Sequence, residues 1–409
     1  MSGAFNAARR WLSIIGIGED GVEGLSPRAA AAIAGAEIVF GGSRHLKLAA
    51  SLINNEARAW PSPFSDGIAQ VVAARGRRVC VLGSGDPMLH GVGATLSRTI
   101  SAAEMMIIPG ASAFSLAAAL LGWPLAEVAT LSLHNRPLAL LKPVLVPGTR
   151  IMLLTSGADD PASIARLLTE AGFGRSTLTL LEALGGPRER IRSMPASRFI
   201  AADVDPLNVV AIECVADPGT CLPSLATGRD EDLFEHDGQI SKREIRSVAL
   251  GLLAPRRGEL LWDVGGGAGS IAIEWMLSGP TLRAIAIEPR SDRAERIGRN
   301  AERFGVPNLT VVTGGAPEAL ADLPSPDAIY LGGGATAPGV FDTVVAAISP
   351  GARLVASAVT LETEALLLDA HARLGGGLVR IGVDRASPVG RMTGWRPAIP
   401  VILWHWTRP

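Results

Sequence analysis

The run Leu260-Leu261-Trp262-Asp263-Val264-Gly265-Gly266-Gly267-Ala268-Gly269-Ser270 passes from an apolar strand into a glycine-rich loop and on into a helix. Glycines there make a tight turn and let backbone approach a ligand closely. The spacing Gly265-x-Gly267-x-Gly269 is not a dinucleotide fingerprint, because Ser270 stands where a further glycine is wanted. The loop therefore points to S-adenosylmethionine (SAM) rather than NAD, with Gly265, Gly266, Gly267, Ala268 and Gly269 around the ligand. Glu288, at the end of the next strand, can accept hydrogen bonds from both ribose hydroxyls. Gly315 and Ala316, after the third strand, can border the adenine. A glycine-rich turn in some other α/β protein accounts for the loop alone, but not for three matching strand ends.

The fourth strand ends in Tyr330-Leu331-Gly332-Gly333-Gly334, without the Asn/Asp-Pro-Pro-aromatic motif common in nucleic-acid amino-methylating enzymes. Either the glycines leave room for a broad, flat substrate, or they form a plain flexible turn. Methyl transfer from a sulfonium to an electron-rich carbon depends mostly on alignment and exclusion of water. No catalytic triad is needed and none is visible. Hydrolase chemistry lacks its nucleophile motif.

From Arg385 to Pro409 there are four Arg, one His and no Asp or Glu. Arg391 and Arg396 flank Met392-Thr393-Gly394-Trp395, read as a mobile loop beside the site. Arginine pairs carboxylates bidentately, so an anionic substrate suits it; the bland reading is a basic surface turn. Ser241 and Lys242 precede a helix over residues 243–253 and are candidates for the active site. Helical spacing sets Lys242 and Arg246 on one face, and Ser241 with Glu244 resembles a capping box. The bland reading is a solvated helix start.

These groups need a scaffold. Strand signals at residues 259–264, 283–287, 309–312, 328–331, 353–356, 378–383 and 399–404 alternate with helices, except between the last two. Helices are expected at 270–277, 292–304, 317–323, 340–348 and 362–374. That is a seven-stranded, doubly wound sheet with a terminal hairpin. Residues 11–216 show a different alternation: strands at 11–15, 38–40, 78–82, 105–108, 150–154, 176–181 and 208–214, with helices at 26–34, 114–121 and 161–171. Residues 217–238 have Pro, Gly and charge runs without periodicity and read as a linker. The expected domains are 1–216 and 239–409.

The chain has 409 residues, 38 basic and 39 acidic. A nucleic-acid binder would show a basic excess. Cys80, Cys214 and Cys221 form neither a disulfide framework nor a zinc spacing, and no metal site is expected. Arg9-Arg10 before the apolar run 11–17 is too short for an export signal, and no stretch reaches a membrane span. A cytoplasmic location is expected.

Residues 239–246, 262–273 and 315–320 together resemble the decarboxylating precorrin methyltransferase domain of cobalamin biosynthesis. Ile240-Ser241-Lys242 stands where that family usually has Met-Thr-Lys. The first region resembles the tetrapyrrole methylase family through residues 14–18, Gly83-Ser84-Gly85-Asp86-Pro87 and Pro109-Gly110-Ala111-Ser112. Gly41-Gly42-Ser43-Arg44-His45-Leu46 and Ser132-Leu133-His134-Asn135-Arg136 resemble its precorrin C5-methylating branch. Asn135 replaces a more usual Gly, and Asn also tolerates left-handed backbone.

The resemblance implies an α/β chain with an N-terminal tetrapyrrole methylase fold of two α/β halves. A C-terminal seven-stranded Rossmann-like class I methyltransferase fold follows. It implies two SAM sites. The first is held by Gly85, Asp86, Pro87, Ser112 and Leu154. Arg44, His45, His134 and Arg136 are candidate substrate contacts in the first domain, and Arg396 is one in the second. The implied chemistry is methylation at C5 and C15 of precorrin-6B with loss of CO2 from the C12 acetate. A cobalt-bearing substrate and, less favoured, an RNA substrate remain as alternatives. The expected partners are a small-molecule tetrapyrrole and further copies of the chain, with no nucleic acid and no membrane.

Overall fold

The computed structural model describes residues 10–222 and 224–409. Arg9 of the export reading and Pro223 of the expected linker lie outside the described residues. Two compact units are present: residues up to 138 with 144–221, and residues 139–143 with 222–409.

The first unit holds two sheets. β1 (Leu12–Ile17), β2 (Ile38–Gly41), β3 (Glu56–Ala59), β4 (Val79–Ser84) and β5 (Met105–Ile108) make an all-parallel sheet in the order β3-β2-β4-β1-β5. Its strand β1, between β4 and β5, is buried on both faces. Leu12 and Ile14 enter one apolar cluster with Phe40, and Ile15 and Ile17 enter another with Ile33. A parallel sheet covered by helices on both sides demands that double burial. β6 (Val128–Ser132), β7 (Arg150–Leu154), β8 (Thr177–Glu182), β9 (Arg190–Pro195) and β10 (Asn208–Glu213) form the second sheet, ordered β6-β7-β10-β8-β9. Only β6 and β7 are parallel there.

In the second unit, β11 (Leu260–Val264), β12 (Arg283–Glu288), β13 (Thr310–Thr313), β14 (Ala328–Leu331) and β15 (Arg353–Ala358) run parallel. β16 (Gly377–Ile381) follows, then a separate ribbon of β17 (Asp384–Val389) and β18 (Met392–Pro397), and finally β19 (Val401–Thr407). The seven-stranded order is β13-β12-β11-β14-β15-β19-β16, with β19 antiparallel to both neighbours. The strand order reverses between β11 and β14, and a ligand crevice belongs at the carboxyl ends of strands at such a point.

Five local expectations change. The capping box fails: Lys242, not Ser241, is the N-cap of the helix Arg243–Leu253, and no side chain caps it. Arg246 does not share an exposed face with Lys242. Its guanidinium is fully buried against Glu274, with Nε 2.9 Å from Oε1. The segment Met392–Trp395 is not a loop, because β18 pairs along its whole length with β17. The helix expected at 317–323 is a 3₁₀ turn, Glu318–Leu320. Residues 228–235 are not a free linker. Glu274 accepts the N–H of Gly228 at 2.7 Å and of Arg229 at 2.9 Å, and Phe234 is buried in the second unit's core. A buried carboxylate needs such partners.

Candidate functional site

In the first unit the strand ends frame a cleft of about 510 Å³. Arg44, His45, Gly85, Asp86, Ser112, His134 and Leu154 all line it. Three loops meet at its floor: the Gly85 N–H reaches the Ile17 carbonyl at 3.2 Å, and the Gly110 N–H reaches the Gly85 carbonyl at 2.9 Å. Asp86 shapes its own turn, with Oδ1 accepting the Met88 N–H at 2.8 Å. Ser112 caps the helix Ala113–Leu121 by accepting the Ser115 N–H at 3.0 Å. Pro87 and Arg136 do not line the cleft among the described residues. Pro87 packs behind Gly83, and the Arg136 guanidinium donates back to the Ser132 carbonyl at 3.3 Å. Asn135 does take left-handed backbone, at φ 52°, and its N–H donates to Ser156 Oγ at 2.8 Å.

The cleft wall carries a polar chain that the sequence reading assigned only in part. Arg44 pairs with Glu19 and donates to Ser84 Oγ at 2.7 Å. Its Nη2 is also 3.0 Å from His45 Nε2, which lies 2.8 Å from Ser84 Oγ. Arg188, from the second half of the unit, donates to Glu19 Oε2 at 3.2 Å and pairs with Asp205. Burial, then the Arg44 guanidinium, push His45 down to about 4, with Glu19 opposing them. His45 is therefore neutral across the physiological range. Glu19 and Ser84 were missed as functional residues, although Gly18-Glu19-Asp20 and Gly83-Ser84-Gly85 are both turn sequences at strand ends.

In the second unit the predicted loop joins β11 to the helix Ser270–Leu277. Gly265 approaches the β14 loop so closely that an added Cβ would sit 2.9 Å from Gly333 N. Gly267 has φ +58°, a left-handed conformation that L side chains rarely adopt. Its N–H donates to Glu288 Oε2 at 2.9 Å, and the Arg290 N–H donates to Oε1 at 3.1 Å. Two backbone donors thus fix the Glu288 carboxylate at the strand end, each oxygen keeping lone-pair capacity. The Glu288 carbonyl accepts from Gly314, which ties in the loop bearing Gly315 and Ala316. The backbone loop and oriented carboxylate fit the ribose and methionine portions of SAM.

The segment leading into Ser241 and Lys242 borders this loop at Gln239. An added Cβ at Gly267 would lie 3.5 Å from the Gln239 carbonyl. Ser241 lies near the buried Tyr330 hydroxyl, which donates to Ser357 Oγ at 3.2 Å. Lys242 is exposed. Arg391 sits in the exposed turn of the β17–β18 ribbon, and Arg396 is exposed on β18 opposite Arg385. Arg385 in turn pairs with Glu244 of the helix after Lys242.

Asp263 is buried at the end of β11, and Oδ2 accepts the Ala272 N–H at 3.2 Å. Burial pushes its carboxyl from 3.8 up to about 7, and nearby Glu288 adds to the effect. Above about pH 4 an unfolded Asp has released its proton while the folded one still holds it. Stability therefore falls as pH rises from there to about 7. The loss is at most ~4 kcal/mol. Asp263→Asn keeps an acceptor for Ala272 and should flatten this slope, raising the second unit's unfolding midpoint at neutral pH. Calorimetry across the window checks it; an unchanged slope would contradict the assignment.

Residues 12–199 match the tetrapyrrole (corrin/porphyrin) methylases, and residues 232–408 match the precorrin methyltransferase domain. A precorrin-6Y C(5,15)-methyltransferase [decarboxylating] from Sinorhizobium sp is 56% identical over 398 residues, covering 97% of this chain and 96% of that protein. The protein of the same description from Mycobacterium tuberculosis (strain CDC 1551 / Oshkosh) is 39% identical over 97% of this chain and 99% of its own length. The crystal structure of the C-terminal domain of precorrin-6Y C5,15-methyltransferase from Rhodobacter capsulatus aligns with 46% of this chain and 100% of that one. It shows 50% identity and a TM-score of 0.44. With both domain families matched in succession and identity extending over 97% of its length, the chain is a methyltransferase and belongs to the precorrin-6Y C5,15-methyltransferase (decarboxylating) family.

Proposed function

We propose that the chain methylates precorrin-6B at C5 and C15 and removes CO2 from the C12 acetate, giving precorrin-8. The first unit acts at C5. The second acts at C15 and hosts the decarboxylation. The observation that carries this reading is the coexistence in one chain of two separate strand-end sites: the cleft over Gly85-Asp86 and the loop whose Gly267 N–H orients Glu288. Each fits one SAM, so the chain takes two. When bound, SAM supplies an electrophilic methyl group.

The protein's part is to align and to exclude water. In the first unit, Gly85, Asp86 and Ser112 shape the donor's seat, and Arg44 and His134 meet the substrate's carboxylates and edges. In the second, Gly265–Gly269 and Glu288 hold the donor, with Gly315 and Ala316 at its adenine. Ser241 stands beside the loop, and the exposed cations Lys242, Arg391 and Arg396 receive carboxylates.

Copies of the chain assemble through the β17–β18 ribbon region, where Val389, Met392, Trp395 and Ile399 are each more than 60% exposed. We read these exposed apolar side chains as the contact surface between copies. The three cysteines are unpaired, in keeping with a cytoplasmic enzyme. Among the described residues, no helix is long and apolar enough to cross a membrane.

Incubation of the full chain with SAM and either metal-free or cobalt-loaded precorrin-6B, followed by mass spectrometry, tests the reading. Metal-free substrate should gain two methyl groups and lose one CO2, with the cobalt form unreacted. Turnover of the cobalt form alone, or methyl incorporation into RNA instead, would overturn it.

A further inference from the structure

The cleft of the first unit contains a hydrogen-bonded pair for which binding a methyl donor has no need. Ser84 ends β4 directly before Gly85-Asp86, and its side chain is exposed at the cleft. His45 lies on the short helix Ser43–Leu48, 39 positions before Ser84 in the chain. The fold sets Ser84 Oγ 2.8 Å from His45 Nε2 and 2.7 Å from Arg44 Nη2. A guanidinium only donates. The 3.0 Å contact with Arg44 Nη2 gives His45 Nε2 the acceptor role and puts the neutral ring's proton on Nδ1, which is buried without a hydrogen-bond partner. Ser84 accepts from Arg44, and its own hydrogen points to Nε2, whose single lone pair it shares with Arg44 Nη2. A second lone pair on Ser84 Oγ is left for the cleft.

Resting on the function proposed above, we propose that Ser84 and His45 together remove the ring proton during methylation at C5. The C5–CH3 bond forms from a π pair of the ring as the S–CH3 bond breaks and its pair stays on sulfur. C5 then bears both a hydrogen and a methyl group, and the ring is cationic. The C5–H pair returns to the ring as the proton passes to Ser84 Oγ, whose own proton moves to His45 Nε2. The imidazolium gives its proton to water when the product leaves.

A weak base suffices, because such a ring cation is a strong acid. Burial and Arg44 disfavour the charged ring, which keeps His45 ready to accept at working pH and quick to release afterwards. Glu19, paired with Arg44 and Arg188, offsets the positive charge that a protonated His45 meets. The alternative role is purely structural: a polar tie between the helix and β4. That role gives no reason for proton removal to limit the rate when the tie is cut.

The test uses the full chain, with His45→Gln and Ser84→Ala made separately so that one folding failure does not end it. C5 and C15 methylation are followed individually on substrate carrying hydrogen or deuterium at C5. Each variant should slow C5 methylation by roughly 10²–10⁴-fold, with SAM affinity and C15 methylation unchanged. A C5–H/C5–D rate difference should emerge that the wild type lacks. In the free protein, ¹⁵N NMR should show His45 as the Nδ1–H tautomer, with an Nε2 signal that Ser84→Ala shifts. Wild-type rates in the variants, losses equal for both isotopic substrates, or an Nε2–H tautomer would each overturn the proton-removal role alone. A wild-type chain that leaves C5 unmethylated would overturn both this role and the proposed function.

Discussion

Gly16→Val should abolish C5 methylation and leave C15 methylation at its wild-type rate. Gly16 sits on β1 opposite Gly83 of β4, where the loops after β1, β4 and β5 converge. A Cβ there would overlap the Gly85 carbonyl oxygen and lie 2.5 Å from Gly110 N. Both obstacles are backbone, and both belong to the Gly110-to-Gly85 hydrogen bond that closes the cleft floor. No side-chain rotamer can relieve the overlap, so the loops must part. Overpacking of this kind costs about 1–3 kcal/mol or more. An ångström of misalignment at a reacting centre costs on the order of 10²-fold in rate. Product analysis resolving the two methylated positions checks it; equal losses at C5 and C15 would mean the two sites are not independent.

Gly267→Arg should do the reverse, with a smaller effect on folding. An added Cβ at Gly267 meets only the Gln239 carbonyl at 3.5 Å and the Gly265 carbonyl at 4.0 Å. Steric accommodation is possible, but an L residue held at φ +58° costs roughly 1–2 kcal/mol. Relaxing that strain turns the Gly267 N–H away from Glu288 Oε2. Glu288 then loses one of the two donors that orient it. C15 methylation and CO2 release should both fall by about 10²-fold or more, while C5 methylation persists. Persistence of CO2 release in a folded variant would separate decarboxylation from this site.

The strand–loop–helix geometry of the second candidate site was legible because it is written in residue types tied to backbone geometry. Glycines at a strand end and an acidic residue one strand later have few other uses, and Gly265, Gly267, Gly269 and Glu288 lie where that logic puts them. The sheets were legible where strands are buried on both faces, as in β1 and β11. β3, β6 and β9 gave no signal because each is an edge strand with exposed or half-buried side chains. The β17–β18 ribbon was hidden for the same reason.

Partnerships across long sequence separations were not legible. Glu274 lies in an otherwise apolar helix, and nothing local shows that it gathers Gly228, Arg229 and Arg246. That network is why an aperiodic, linker-like stretch is ordered. Arg44, His45 and Ser84 were each within motifs already singled out. Their joining into one hydrogen-bonded group depends on the pairing of β2 with β4, which no single motif contains.

Calorimetric titration of SAM into the full chain tests the central claim most directly. The account predicts two sites per chain in the wild type, one in Gly16→Val, one in Gly267→Arg and none when both changes are combined. A single site in the wild type, or either substitution removing both sites from a folded chain, would contradict it.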